Sequence, residues 1–95
     1  MTNPFVYRGV VRDMLTFLDT TQFVADAFED TSASADLNIV MSHAGVSADK
    51  AIIDQMPEGK IIQGAHDHLD LNIVQKGVRY FHGGSWGLNL GWSRL

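Results

Sequence analysis

Cysteine is absent from the 95-residue chain. Disulfides and thiolate metal sites are therefore excluded, while the redox compartment stays open, because a cysteine-free chain fits any compartment. Basic residues are few: 7 Lys and Arg stand against 11 Asp and Glu, giving a net charge of -4. A sequence-independent grip on nucleic acid draws on clustered Lys and Arg, so no nucleic-acid partner is expected. No apolar run reaches about 18 residues, so no membrane span is expected. The stretch Met1 to Arg12 holds Pro4 and two Arg but no uninterrupted apolar core, and it does not read as a secretion signal. The expectation is a soluble cytoplasmic protein. Repeats and low-complexity tracts are also missing.

What is present suits one small folded domain spanning residues 1–95. Hydrophobic residues make up 45% and charged residues 19%, too apolar for disorder. A chain of this size hides roughly 65% of its unfolded surface, enough for a thin core. Charge is uneven. Residues 1–36 carry six acids and two bases, residues 37–59 three acids and one base, and residues 60–95 two acids and four bases. An anionic ligand should prefer the last third.

Along the chain, residues 5–18 mix apolar and basic positions and could hold one or two short strands, Met14 to Leu18 being the better candidate. Asp19-Thr20-Thr21 offers capping oxygens, and Phe23, Val24, Ala27 and Phe28 follow at helical spacing. An amphipathic helix over about residues 20–30 is expected, then a polar linker over residues 31–35. Leu37 to Met41 is a nearly unbroken apolar run suited to a central parallel strand. His43-Ala44-Gly45 forms a loop, Ser47 can cap a second helix with Ala48, Ala51, Ile52 and Met56 on one side, and Pro57 and Gly59 end it. Ile61-Ile62 begins the next strand. A strand–helix–strand unit of this kind has parallel strands. Leu71 to Gln75 and Val78 to His82 flank Lys76-Gly77, which reads as a tight hairpin. Alternation at Leu88, Leu90 and Trp92 reads as a last strand with one buried face. Phe23, Phe28 and Trp92 are assigned to the core. The expected class is α/β.

Three of the four histidines fall where chemistry could gather. His43 follows the first parallel strand, and His66 lies just beyond the second. Parallel neighbours run about 4.8 Å apart and exit at one sheet edge, where ligands of open α/β sheets bind. His66 and His68 form a His-x-His pair, whose members point the same way in an extended segment. Imidazole nitrogen binds zinc, iron, manganese and nickel, so His43, His66 and His68 make a candidate metal site. A lone histidine at a strand end is ordinarily a polar loop residue, and only the joint placement argues for a site. Asp67 and Asp70 flank the pair and could ligate, orient a histidine or act as general base; the plain alternative is a solvated loop carboxylate. His82 precedes Gly83-Gly84-Ser85-Trp86-Gly87, a loop that could admit a ligand close to the backbone or simply turn tightly with Trp86 on the core.

Ser42-His43-Ala44-Gly45-Val46, then Gly64-Ala65-His66-Asp67-His68, then Gly83-Gly84-Ser85-Trp86-Gly87, occur in that order over residues 37–95. Together they resemble the C-terminal half of the calcineurin-like metallophosphoesterases, in the bacterial 5′-nucleotidase and cyclic-phosphodiesterase branch. The resemblance implies that His43 and His66 hold one metal of a two-metal centre and His68 the other. It implies a fold of packed sheets with outer helices, of which this chain would be half. The family's N-terminal Asp-x-His, Gly-Asp and Asn-His-Asp/Glu motifs do not occur here, and residues 1–36 contain no histidine. Ala65 replaces the second glycine of the family's loop.

The resulting expectation is a metal-dependent hydrolase of phosphoesters with nucleotide-like substrates. Its site would be incomplete, or completed by a homo-oligomer or a complementing N-terminal half. His43, His66 and His68 would hold a divalent ion (Zn, Mn, Fe or Ni), Asp67 is the catalytic candidate, and Gly84, Ser85 and Trp86 are the substrate-binding candidates. The alternatives are a non-catalytic metal-binding or assembly module and a plain structural domain.

Overall fold

The computed structural model describes residues 5, 7–57, 60–92 and 94. Among the described residues, three helices and four strands follow in the order α1 (Gly9–Asp13), α2 (Thr20–Thr31), β1 (Ile39–Met41), α3 (Val46–Ile53), β2 (Ile61–Gly64), β3 (Asp70–Gln75) and β4 (Val78–Gly83). The strands form one mixed sheet in the order β1-β2-β4-β3. β1 and β2 pair in parallel, as do β2 and β4, while β3 pairs antiparallel with β4. No described helix is long and apolar enough to cross a membrane.

Local chemistry explains most of these elements. α2 starts where the Asp19 side chain accepts the Gln22 N–H at 2.9 Å, satisfying one of the helix's orphan donors. Val24 and Phe28, one turn apart, are its buried residues. The apolar run at Leu37 to Met41 becomes β1, with Ile39 opposite Ile61 and Met41 opposite Gln63. It is an edge strand with Ile39 and Met41 exposed, not the central, doubly covered strand expected, because β4 takes the other side of β2. The hairpin turns through Lys76 at φ 50° and Gly77 at φ 72°, the two left-handed positions that a two-residue turn of type I′ requires. Because β4 and not β3 lies beside β2, the hairpin places its second strand in the sheet interior.

Cross-strand register sorts the side chains. Val40, Ile62, Tyr80 and Ile73 are successive partners on one face, as are Gly64, His82 and Leu71. That face joins Val24, Phe28, Ile52, Ile53, Met56 and Val78 in the core beneath α2 and α3. The opposite face presents Ile39, Met41 and Val74, which are 53%, 71% and 64% exposed.

Several expectations are corrected. Residues 14–18 form no strand; a short helix, α1, precedes them instead, with no buried residue. A strand needs a ladder partner for its backbone groups, and the sheet ends at β1 and β3. The expected last strand is also absent among the described residues 88–92, and Ser93 lies outside the described residues. Both sides of β4 are already taken by β2 and β3, so the segment instead lines a groove of about 510 Å³ along the outer face with Arg79 and Phe81. Trp92 is 80% exposed and Phe23 57%, so of the three aromatics assigned to the core only Phe28 is buried there. α3 begins after Gly45 with no side-chain cap of its own, so Ser47 is not its cap. It ends at Ile53, short of Pro57, and Gly59 lies outside the described residues.

Candidate functional site

The loops leaving β1 and β2 bring His43 and His66 together at one sheet edge. Their rings stand 5.4 Å apart between centroids at 65°. Two imidazoles sharing a tetrahedral zinc, each at about 2.0–2.1 Å, would set their centroids roughly 5 Å apart. The observed centroid spacing is close to that value. His68 does not join it. Its ring meets the edge of Trp86 at 5.4 Å. Among the described residues, no group of three or more His, Asp or Glu side chains gathers in metal-binding geometry.

The backbone explains why the His-x-His spacing does not align the two rings. His66 has φ 87° and His68 φ 58°. Alternation assumes an extended chain, and left-handed residues turn the segment instead. A non-glycine residue in this region is uncommon and costs energy.

Asp67, between those two residues, is exposed, and its Oδ2 accepts the Val46 N–H at 2.5 Å. Val46 is the first residue of α3, so a carboxylate from the β2 loop caps the helix that follows the β1 loop. Gly45 makes room for it: a Cβ there would sit 3.1 Å from Asp67 Oδ2, at a φ of 93°. Asp70 opens β3, opposite Gly83, and is exposed. Gly84 has φ 72°, and its N–H donates to Leu69 O at 2.8 Å just beyond the β3–β4 ladder, while the Leu88 N–H donates to Ser85 O at 3.1 Å and closes the turn that carries Trp86. Trp86 is 85% exposed, at φ 58°, and is not packed on the core.

Behind the histidine pair lies a buried polar network. Asp49, on α3, is fully buried. Its Oδ1 accepts the Ser42 hydroxyl, and its Oδ2 accepts the Tyr80 hydroxyl at 2.8 Å. A phenol has one proton, so at the 2.6 Å contact between Tyr80 and His82 the Nε2–H of His82 donates to the phenol oxygen. The Nδ1 of His82 has no partner among the described residues. The Ala44 N–H donates to Ser42 Oγ at 3.2 Å, so the network reaches the loop that carries His43. Burial and the neighbouring Asp49 carboxylate hold the Tyr80 hydroxyl well above the ordinary tyrosine range, with Asp67 adding to the effect. Gly64 is indispensable here. A Cβ on it would lie 2.1 Å from His82 Nε2 and 2.8 Å from Asp49 Oδ2.

Sequence reasoning missed this network. A usable signal exists in the spacing of Asp49, Ile52, Ile53 and Met56, which puts one acid on the apolar stripe at i, i+3, i+4 and i+7. A charge on such a stripe calls for buried partners. No known protein family, curated protein or solved structure matches the chain.

Proposed function

We propose that the chain supplies His43 and His66 to a divalent-metal site for phosphoester hydrolysis, with the remaining ligands coming from another chain. The 5.4 Å approach of the two rings at the shared exit of parallel strands carries this reading. The order of the three loop motifs, similar to that of the metallophosphoesterases, supports it. So do three exposed apolar side chains on the outer face of the sheet, Ile39, Met41 and Val74. Parallel sheets are ordinarily covered on both faces, and uncovered apolar surface favours association. The covering chain is a second copy or a complementing N-terminal half, and the fold is then half of a two-sheet sandwich.

A bound divalent ion supplies polarisation of a phosphoryl oxygen and acidification of water. The chain's own residues set the spacing of the imidazoles. The exposed Trp86 ring, with Gly84 and Ser85 on the same loop, offers a surface for the planar part of a nucleotide-like substrate. The second reading is a metal-binding or assembly module without turnover. The packing of His68 against Trp86, away from the pair, favours it.

Metal content per chain, measured on protein purified without a histidine tag, tests both readings. The expected result is retained metal that His43→Ala and His66→Ala each release. Metal-free protein, or alanine variants that keep the metal, overturns both. A chromogenic phosphoester assayed with and without chelator, at two protein concentrations, then separates the hydrolase from the silent module.

A further inference from the structure

We infer that Asp67 is the positioning residue of the histidine pair, acting through the first amide of α3 and not through metal or substrate. The inference rests on the proposed role of His43 and His66. Three observations meet at this carboxylate. It accepts the Val46 N–H at 2.5 Å across 21 residues of chain. Gly45 leaves it room, since a Cβ there would stand 3.1 Å from Asp67 Oδ2 and 3.4 Å from the His66 ring. The residues on either side, His66 and His68, hold left-handed backbone at φ 87° and 58°.

The geometry closes a small ring. His43 lies three residues before Val46, and His66 one residue before Asp67. The hydrogen bond therefore ties the base of one histidine loop to the tip of the other. Four N–H groups at a helix start lack partners within the helix, and a carboxylate there gains from the helix dipole. That gain offsets part of the cost of the two left-handed residues, which persist only where their surroundings over-determine them. Breaking the bond removes this tie between the His66 loop and α3, and with it the restraint on the 5.4 Å approach of the rings.

The role predicts different fates for two substitutions. Asp67→Asn keeps an oxygen that can accept from Val46. Asp67→Ala removes it. The first measurement uses metal-free full-length protein. Amide exchange at Val46 and the proton–proton contact between the His43 and His66 rings are followed by NMR. Protection of the Val46 amide and the ring contact should both persist in Asp67→Asn and be lost in Asp67→Ala, with the exchange of β2 and β4 amides unchanged. The second measurement titrates cobalt(II) and follows its visible absorption. Removing a residue that orients metal ligands weakens binding by about 10–100-fold, so Asp67→Ala should lose at least tenfold and Asp67→Asn should recover most of it. A ring contact that survives Asp67→Ala overturns the inference, whether or not metal binds. Equal loss in both variants also overturns it and makes Asp67 a ligand or a proton carrier. Wild-type protein that shows the ring contact but binds no cobalt defeats the metal reading and leaves the positioning role standing.

Discussion

Gly64→Ala should be among the most damaging single-methyl additions the chain can receive. The new Cβ would sit 2.1 Å from His82 Nε2, 2.5 Å from His82 Cδ2 and 2.8 Å from Asp49 Oδ2. None of these atoms is the loose end of a surface side chain. The side chains of His82 and Asp49 are 1% and 0% exposed, and the His82 nitrogen is bonded to Tyr80 at 2.6 Å. Forcing the ring aside adds overpacking of about 1–3 kcal/mol. Breaking the Tyr80–His82 bond in a buried setting costs about 1–3 kcal/mol more. The sum, about 2–6 kcal/mol, is a large share of the stability of a domain this small, about 5–14 kcal/mol at the usual per-residue value. Urea denaturation measures it. Gly83→Ala is the matched control, because a Cβ there meets nothing within 4 Å, and it should stay within about 0.5 kcal/mol of wild type. In a His82→Ala background the clash with the ring is gone, and Gly64→Ala should cost at least about 1 kcal/mol less. A Gly64→Ala protein as stable as the Gly83→Ala control would refute the reasoning, as would an undiminished cost without the His82 ring.

Tyr80→Phe should change the alkaline behaviour of the chain. The folded phenol holds its proton above the ordinary tyrosine range, whereas the unfolded phenol releases it near pH 10. The native state then binds more protons, so this stabilisation is complete below pH 10 and declines as pH rises, by up to about 1.4 kcal/mol per unit. Denaturation at pH 9 and 11 should show that steeper decline in wild type only; equal slopes in the two proteins would contradict it. Ser42→Ala removes the hydroxyl donor to Asp49 Oδ1 and should destabilise by about 1–3 kcal/mol. Thermal unfolding should show a midpoint lower by roughly 4 °C or more, and an unchanged midpoint would mean that Asp49 does not need this donor.

Much of the fold is legible where the deciding forces are local. Asp19 ahead of an amphipathic stretch places α2, the apolar run at Leu37 to Met41 places β1, and Lys76-Gly77 places the hairpin. The placement of His43 and His66 at one edge follows from parallel pairing, and the two rings do meet. Other features were not legible, for identifiable reasons. Alternation at Leu88, Leu90 and Trp92 describes a surface that could face a core, but it cannot supply a ladder partner. The His-x-His spacing says where two rings point only once φ is known.

The order of elements from α2 to β4, the turn of the hairpin and the histidine pair at the strand exits follow from the sequence itself, because caps, turns and periodicity act within a few residues. Tertiary structure alone decided that Asp49 lies buried between Ser42 and Tyr80, that Gly64 makes room for the His82 ring, and that Asp67 caps a helix 21 residues before it. Each of these joins groups far apart in the chain, and a buried polar atom takes its partner from whatever the completed packing brings within reach.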